Sequence, residues 1–580
     1  MIAPSTSQTE SRRPDWIEPQ ALAAEYAMLH PDPLIAALLG ARGFTDRAEV
    51  AAFLQDRSDP TPDPDGVPGM AAAVARVGEA LDAGERIAIF GDYDADGITA
   101  TAILASALRA GSSDPRGVTA RLPRRTEGYG LRTETVDELA DGGAQLLLAI
   151  DCGSSDHDAV RRARERGLAV VIVDHHQMRD DGPEDAIVAS TRVAEHAASR
   201  YNDLTGAGLA YLLVVGLARH GYAVAQDGGS EADYLDLVAI GTIADVAPLT
   251  GLNRAFVKRG LAQINTRPRL GIARLLRRVG VEVGQVTART IAFKISPRLN
   301  AAGRISDPSP ALDLMLSRDP LEADQLVTMI EGFNERRKIE SRRIEQSVDD
   351  QLASRDDLDA VRLLVCSGPG WPAGILGIVA ARLAEKYGRP AIVLTDHDGM
   401  SSGSARSIPG IDITDALNQC GELICRHGGH SQAAGLSLAT ADLGAVERRL
   451  GELIDDTGVI VPFIPRIELD ADLPSHRLSL ATVETLAALE PFGEGNRQPT
   501  FLIRNLPVRD YSTMGADRSH LRISVETGIG QAKVILWGGA NRSRELLFQP
   551  RIDIAATIDA DYWNGKTRVH IEAVDFRPAR

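Results

Sequence analysis

The chain has 580 residues, with 63 Lys+Arg against 80 Asp+Glu, a formal net charge of −17 and a hydrophobic fraction of 44%. This length exceeds what one core organises, so several domains are expected, and the acidic balance argues against a surface coated in basic residues for gripping nucleic acid. No apolar run could span a bilayer and the polar stretch 1–13 lacks an apolar signal core, so we expect a cytoplasmic protein without a membrane partner.

The four cysteines are scattered without a CxxC pair, which argues against a disulfide framework or a zinc site. The first elements of the chain are predicted to be helical. Apolar residues recur at helical spacing in 31–54, a loop rich in Pro, Asp and Gly covers 58–69, and a helix is predicted over 71–83. We therefore expect a helical extension over residues 1–75.

An acidic stretch, Gly91 to Gly97, follows a predicted buried strand at 86–90 and precedes a predicted helix at 99–110. Its carboxylates, Asp92, Asp94 and Asp96, stand at alternate positions. Carboxylates this close repel each other, so they persist most easily around a divalent cation. A solvated acidic turn that caps a helix explains this stretch equally well when it is taken alone.

Alternating strands and helices continue the pattern and predict a parallel sheet with helices on both faces. The strands are expected at 117–122, 145–150 and 169–173, and the helices at 133–139 and 158–166.

Three of the predicted strands are followed by acidic or histidine residues, which are common metal ligands. The acidic stretch follows the first, Asp151 the next, and Asp174, His175 and His176 the last. Because parallel strands bring these ends to one edge of the sheet, a metal cluster is favoured over separate surface turns. Carboxylate and imidazole together suit Mn or Mg. Asp245, after helical regions from 206 and from 234, is a weaker candidate because helix capping alone would also explain an aspartate at this position.

The remaining sequence predicts a connector and two further domains. A charged helix is expected over 321–352, followed by strands at 361–365 and 391–394 around a helix at 374–386. Two Gly-rich segments, 402–407 and 428–435, would let a phosphate approach the backbone near Arg406, or would be strand-to-helix turns. The later short strands predict a small barrel of the OB type. These strands are expected at 501–503, 521–525, 532–536, 552–558 and 568–574.

Four motifs resemble the DHH phosphoesterase superfamily: Phe90–Gly97, Asp151–Gly153, Asp174–His176 and Gly241–Asp245. Within it, the chain resembles the RecJ family of single-strand-specific 5′→3′ DNA exonucleases. Further motifs carry this resemblance, at 123–130, 205–208, 297–304, 374–380, 429–435 and 491–499.

The resemblance implies an α/β architecture with four parts after the extension. They are a parallel-sheet DHH phosphoesterase domain over 76–320, a connector helix over 321–355, a smaller α/β DHH-associated domain over 356–458 and an OB-like barrel that binds single strands over 460–580.

The resemblance also implies a two-metal site for Mn²⁺ or Mg²⁺. The implied ligands are Asp94, Asp96, Asp151, His175 and Asp245, with Asp92 as a sixth. The implied catalytic residues are Asp94, Asp96, His175 and His176, and the role of His176 is left open between phosphate contact, proton donation and support of a ligand.

A pocket for the 5′-phosphate is implied at Arg125, Arg304, Arg406 and Ser407, with His430 as a further DNA contact. Salt bridges between domains are the alternative for Arg304 and Arg406. Candidates for stacking on bases are Tyr129, Trp537, Tyr562 and Trp563.

The function implied is hydrolysis of single-stranded DNA from the 5′ end to 5′-mononucleotides, in recombination and DNA repair. A monomer is expected, with a single-strand-binding protein and a RecQ-type helicase as candidate partners. One alternative is a DHH phosphodiesterase for short oligonucleotides or cyclic dinucleotides, which the length and the barrel disfavour. The other is a catalytically silent DNA-binding scaffold, which the complete ligand set disfavours.

Overall fold

The computed structural model describes residues 13–19, 24–55, 62–178, 182–192, 200–358, 360–563 and 566–579. The chain forms two compact units. One comprises residues 1–57, 463–490 and 497–580, and the other comprises 58–462 and 491–496. Among the described residues, no helix combines the length and the apolar character needed to cross a membrane. The predicted domain limits stay predictions, and residues 1–12 of the expected extension lie outside the described residues.

Among its described residues, the N-terminal part of the first unit contains a short strand, a 3-10 helical turn and two α-helices. They are β1 (Asp15–Ile17), the 3-10 turn (Ala24–Met28), α1 (Pro33–Ala41) and α2 (Arg47–Gln55). Helix α1 begins where Asp32 accepts a hydrogen bond from the Leu34 N–H and Pro33 takes the first helical position, a placement that costs no backbone donor.

The second unit opens with a sheet of five parallel strands in the order β3-β2-β4-β5-β6. Its elements are α3 (Met70–Ala83), β2 (Ile87–Phe90), α4 (Ala95–Gly111), β3 (Val118–Arg121), α5 (Thr133–Asp141), β4 (Leu146–Ile150), α6 (His157–Glu165), β5 (Ala169–Asp174), β6 (Ile187–Ser190), α7 (Gly206–Arg219) and α8 (Leu235–Ala244).

The central strands β2, β4 and β5 of this sheet are buried on both faces. Ile87 and Ile89 pack with residues of α3, α4, α7 and α8, whereas Phe90 and Leu147 pack with α5 and α6. The predicted parallel sheet with helices on both faces is confirmed. Strand β6, which is only four residues long, was not predicted.

Helix α4 begins four residues earlier than predicted. Asp94 is its N-cap, and its carboxylate accepts hydrogen bonds from the N–H groups of Asp96 at 3.0 Å and Gly97 at 3.1 Å. Such a cap satisfies N–H groups that would lack a partner. The acidic stretch is therefore partly helical, with Asp96 in the first turn.

The rest of the second unit contains further helices and a second sheet, in the order β10-β11-β9-β8-β7, in which only β7 and β8 are parallel. The elements are α9 (Gly251–Thr266), α10 (Leu270–Arg278), α11 (Ala288–Thr290), a π-helical turn (Ile291–Ile295), α12 (Ser296–Ile305), α13 (Ser309–Leu316), α14 (Pro320–Ala353), β7 (Leu364–Pro369), α15 (Ala373–Tyr387), β8 (Ala391–His397), β9 (Met400–Arg406), α16 (Ile413–Asn418), β10 (Arg426–His430), β11 (Ala433–Ala439) and α17 (Leu443–Asp456).

The two Gly-rich segments lie mainly in β9, β10 and β11, so the interpretation as strand-to-helix turns is wrong. A Cβ at Gly403 would lie 2.1 Å from the Val393 carbonyl oxygen. Glycine serves there to let neighbouring strands approach closely.

The C-terminal part of the first unit contains a closed five-stranded barrel. The elements of this part of the chain are β12 (Arg466–Glu468), β13 (Ala471–Asp472), α18 (Leu480–Leu486), β14 (Phe501–Met514), β15 (His520–Thr527), β16 (Gly530–Leu536), β17 (Arg551–Trp563) and β18 (Lys566–Pro578). The barrel order is β14-β15-β16-β18-β17, and pairing of β14 with β17 closes it. The predicted OB-like barrel is confirmed.

Candidate active site

Acidic and histidine side chains from neighbouring strand ends form one cluster. Strands β2, β4 and β5 lie side by side, and Asp92, Asp151 and His175 follow them. The cluster contains three overlapping groups of residues, and within each group the ligand atoms lie no more than 4.8 Å apart. The groups are Asp92, Asp94 and Asp151; Asp96, His175 and Asp245; and Asp151, His175 and His176. The structure thus brings together every residue predicted as a metal ligand.

Asp96 is held by the start of α7. Its carboxylate accepts hydrogen bonds from the Gly206 N–H at 2.7 Å and the Ala207 N–H at 3.0 Å, and a helix N-terminus favours negative charge. A Cβ at Gly241 would lie 2.4 Å from Asp96 Oδ1. The glycine of the motif before Asp245 therefore leaves room for this carboxylate.

The two histidines have different surroundings. His175 Nε2 lies 3.0 Å from Asp151 Oδ1 and 3.9 Å from Asp96 Oδ2, so it faces the carboxylate cluster. His176 Nδ1 lies 2.8 Å from Asp174 Oδ1 and 2.9 Å from the Tyr129 hydroxyl. His176 is therefore oriented by a carboxylate and a phenol beside the cluster.

Crowding changes the acidity of the cluster. Burial, and then the charge of Asp94, raise the pKa of Asp92 to about 8. Burial also raises the pKa of Asp96 and Asp151 well above the ordinary range, and neighbouring carboxylates add to this effect. Burial lowers the pKa of His175 to about 3, which keeps the ring neutral as a metal ligand must be.

The cluster fits hard divalent cations. Asp92 Oδ1 is buried, and no described residue donates a hydrogen bond to it. Cations would offset the repulsion among these carboxylates, and a donor set of oxygen and imidazole nitrogen suits Mn²⁺ or Mg²⁺.

Residues outside the predicted ligand set support the cluster. Asp174 accepts hydrogen bonds from the Ser154 hydroxyl at 2.6 Å and from His176. Burial alone would raise the pKa of Asp174, but these hydrogen bonds lower it below the ordinary range. Asn300 Oδ1 accepts the Ala95 N–H at 2.7 Å. In the sequence, Asp174 is marked as the first residue of the Asp-His-His motif, and Asn300 is marked by its place in the motif at 297–304.

Three arginines, Arg125, Arg304 and Arg406, lie near the acidic stretch without carboxylate partners among the described residues. The guanidinium of Arg125 lies 4.8 Å from the centre of the Tyr93 ring, and Arg304 Nη1 donates to the Gly374 carbonyl at 3.1 Å. Burial, and then the charge of Arg125, lower the pKa of Arg304 to about 10 and also lower that of Arg406. No ion pair among the described residues supports the alternative of salt bridges at Arg304 and Arg406.

Glycines on α12 and α15 allow these arginines to converge. A Cβ at Gly303 would lie 2.6 Å from the Tyr93 carbonyl oxygen, so α12 packs directly on the acidic stretch. A Cβ at Gly374 would lie 2.3 Å from the Arg304 carbonyl oxygen, and one at Gly377 would lie 2.8 Å from Arg406 Nη2. The motifs at 297–304 and 374–380 therefore position arginines beside the carboxylate cluster.

The remaining predicted DNA contacts have varied surroundings. Ser407 Oγ donates to the Ile411 carbonyl at 2.7 Å. His430 is exposed and shares a row of the second sheet with Arg406, each being paired with Ala433, which places them about 10 Å apart.

The aromatic candidates differ in how much ring surface they offer. Tyr129 is 49% exposed although its hydroxyl is bonded to His176. Trp537 is 48% exposed and packs edge-on against His520, with ring centres 4.8 Å apart. The side chains of Tyr562 and Trp563 lie outside the described part of the structure.

Comparisons with known proteins match the chain to three family models. They are the DHH family N-terminal domain over residues 86–242, the DHHA1 domain over 360–456 and the RecJ OB domain over 469–575.

Similar proteins cover nearly the whole chain. The single-stranded-DNA-specific exonuclease RecJ of Bacillus subtilis (strain 168) is 31% identical over 98% of this chain and 71% of its own length. The crystal structure of RecJ in complex with Mn²⁺ from Thermus thermophilus has a TM-score of 0.80 at 30% identity, covering 98% of this chain and 80% of that chain. The structure of RecJ in complex with Mg²⁺ from the same organism has a TM-score of 0.75 at 29% identity, covering 98% of this chain and 79% of that chain.

Proposed function

This chain belongs to the RecJ family, and we propose that it is an exonuclease that hydrolyses single-stranded DNA from the 5′ end to 5′-mononucleotides in recombination and DNA repair. The observation that carries the proposal is the Asp and His cluster, in which Asp92, Asp96 and Asp151 are buried, beside three arginines that lack carboxylate partners among the described residues. Such a pair of sites suits hydrolysis of a phosphodiester close to an anchored terminal phosphate.

The residues of the cluster have distinct parts in this reaction. Asp92, Asp94, Asp96, Asp151, His175 and Asp245 would hold the divalent ions, Mn²⁺ or Mg²⁺. When bound, they help to ionise the attacking water and neutralise the charge that develops on the phosphate. Asp174 and Tyr129 both engage Nδ1 of His176, which leaves its Nε2 to contact the scissile phosphate.

Arg125, Arg304 and Arg406 bind the 5′-phosphate, and Ser407 and His430 extend this contact along the second sheet. Guanidinium groups offer paired donors that match phosphate oxygens. A terminal phosphate held there would bring the first phosphodiester to the carboxylate cluster. Cleavage is therefore confined to the end of the strand and releases single nucleotides.

Single-stranded DNA also binds the OB-like barrel, where exposed Trp537 offers a stacking surface. The candidate protein partners, a single-strand-binding protein and a RecQ-type helicase, fit the same substrate. The expected monomeric state and cytoplasmic location complete the proposal.

The proposal is tested with long single strands labelled at either end and with a dinucleotide, each in Mn²⁺. A 5′ label should appear at once as mononucleotide, whereas a 3′ label should appear only after a delay that grows with strand length. Hydrolysis of the dinucleotide alone would favour the oligonucleotide phosphodiesterase instead. Absence of any hydrolysis would favour the silent scaffold.

A further inference from the structure

A second cavity lies in the DHH part of the chain, away from the carboxylate cluster. Its volume is about 490 Å³, and its walls come from α4, α8, α9, α10 and the end of α13. Ser106 and Arg109 of α4 line it, and these residues lie about 15 and about 20 Å beyond Asp96 along the same helix, at the rise of an α-helix. Asp236 lines it from the first turn of α8, whose other end precedes Asp245.

The cavity carries an excess of positive charge in a chain that is acidic overall. Four arginines and two aspartates line it: Arg109, Arg267, Arg269, Arg318, Asp233 and Asp236. Asp236 is fully buried and holds Arg269 through two hydrogen bonds of 2.7 Å. Asp233 pairs with Arg267 at 2.9 Å. Both carboxylates of the cavity are thus paired, which leaves Arg109 and Arg318 without a carboxylate partner among the residues that line it.

Several polar groups that line the cavity could form further hydrogen bonds with a ligand. Arg109 uses Nε for the Val118 carbonyl at 3.2 Å and has no carboxylate within ion-pair distance among the described residues. Among the described residues, Arg318 makes only a 3.7 Å ion pair with Asp227, whose side chain is 91% exposed. The side chains of Ser106 and Gln226 line the cavity without a hydrogen bond to any described residue.

Apolar side chains form another part of the wall: Leu270, Met315 and Leu316. A cavity of several hundred Å³ that joins such a surface to a few convergent donors is typical of small-molecule sites. Guanidinium groups favour phosphate, whereas the apolar wall favours a ring.

We propose that this cavity binds a nucleoside phosphate, with Arg109 and Arg318 on the phosphate and the apolar wall against the nucleoside. This site is separate from the metal cluster and from the arginines Arg125, Arg304 and Arg406.

The test is calorimetric titration of the full chain with dAMP, deoxyadenosine and inorganic phosphate. All titrations use an Arg406→Gln background, so that binding to the other arginines is weakened. Arg109→Gln and Arg318→Glu should each weaken dAMP binding by about tenfold, as for loss of one charged hydrogen bond. Arg116→Gln is the matched control, because that side chain is 93% exposed and lies outside the cavity.

The proposal expects dAMP to bind more tightly than phosphate, and deoxyadenosine to bind least. Thermal unfolding identifies any variant that fails to fold, and Arg318→Glu keeps the test decisive because its side chain is 69% exposed. The proposal is overturned by dAMP binding that both cavity variants leave unchanged, by equal binding of deoxyadenosine, or by no dAMP binding in the folded background chain.

Discussion

Gly241 shows how little space surrounds the buried carboxylates. A methyl group there would lie 2.4 Å from Asp96 Oδ1 and 2.6 Å from the Ala207 Cβ, so the carboxylate must move. Because catalytic groups displaced by about 1 Å can cost a hundredfold in rate, Gly241→Ala should lower kcat by about this factor.

Gly332→Ala is the matched control, since nothing lies within 4 Å of a Cβ at that helical position. It should leave kcat unchanged and stabilise the helix by up to about 1 kcal/mol. Steady-state hydrolysis of a 5′-phosphorylated strand measures both variants. Equal kcat values for the two would show that Gly241 does not position Asp96.

Gly377 makes a similar prediction for the arginines. A Cβ there would lie 2.8 Å from Arg406 Nη2 and 3.3 Å from Ser404 Oγ. Gly377→Ala should therefore raise KM for 5′-phosphorylated strands by about tenfold, equivalent to about 1.4 kcal/mol. KM for 5′-hydroxyl strands should change little, and an equal rise for both ends would contradict the assignment.

Helix α14 supports the site through α12. Arg298 of α12 and Glu331 of α14 form a paired contact with hydrogen bonds of 2.7 and 3.2 Å, and their side chains are 15% and 10% exposed. Breaking a buried ion pair leaves a charge uncompensated, so Glu331→Ala should lower the free energy of unfolding by about 3 kcal/mol.

The matched control lies on the same helix. Glu335 pairs with Lys338 one turn later, and its side chain is 54% exposed, so Glu335→Ala should cost only about 0.5 kcal/mol or less. Urea unfolding measures both values. Similar losses for the two variants would mean that the Arg298–Glu331 contact does not secure α12.

Strands β2 to β5 of the first sheet were predictable because parallel strands form short apolar runs between helical patterns. The start of α4 was misplaced because the cap at Asp94 makes an acidic loop and a first helical turn look alike in sequence. Strands β9, β10 and β11 were missed because glycine is depleted in strands on average, whereas here it permits close packing.

The site was only partly predictable for a similar reason. Asp94, Asp96, Asp151 and His175 follow strands that a sequence pattern can align. The contact of Asn300 with Ala95 joins residues 205 positions apart, and no local pattern reports such a distance. The convergence of the three arginines was predicted only through the resemblance to a family. The structure then shows that the glycines allow the close approaches on which this convergence depends.

For the molecule as a whole, metal binding should control the dependence of stability on pH. The pKa of Asp92 rises from 3.8 to about 8 on folding, so between these values this group binds a proton more readily in the metal-free folded chain than in the unfolded chain. The stability that this group contributes therefore falls as pH rises through this window. Ligands must be deprotonated to bind Mn²⁺, so Mn²⁺ should raise Tm more at about pH 8 than at about pH 6.

Asp92→Asn removes this titration without changing the shape of the side chain. Its metal-free Tm should fall less than that of the wild type between the two pH values. Differential scanning calorimetry with and without Mn²⁺ measures both chains. Parallel Tm changes in the two metal-free chains would exclude Asp92 as a source of the pH dependence.

The most direct test of the metal-dependent exonuclease is the rate of mononucleotide release by Asp151→Asn in Mn²⁺. This isosteric change removes a charge shared by two of the three ligand groups. The rate should fall by at least about a hundredfold while Tm without metal stays equal or rises, because a repulsive buried charge is lost. Asp158→Asn, at a side chain that is 83% exposed, should keep the wild-type rate. A wild-type rate in Asp151→Asn would contradict the account.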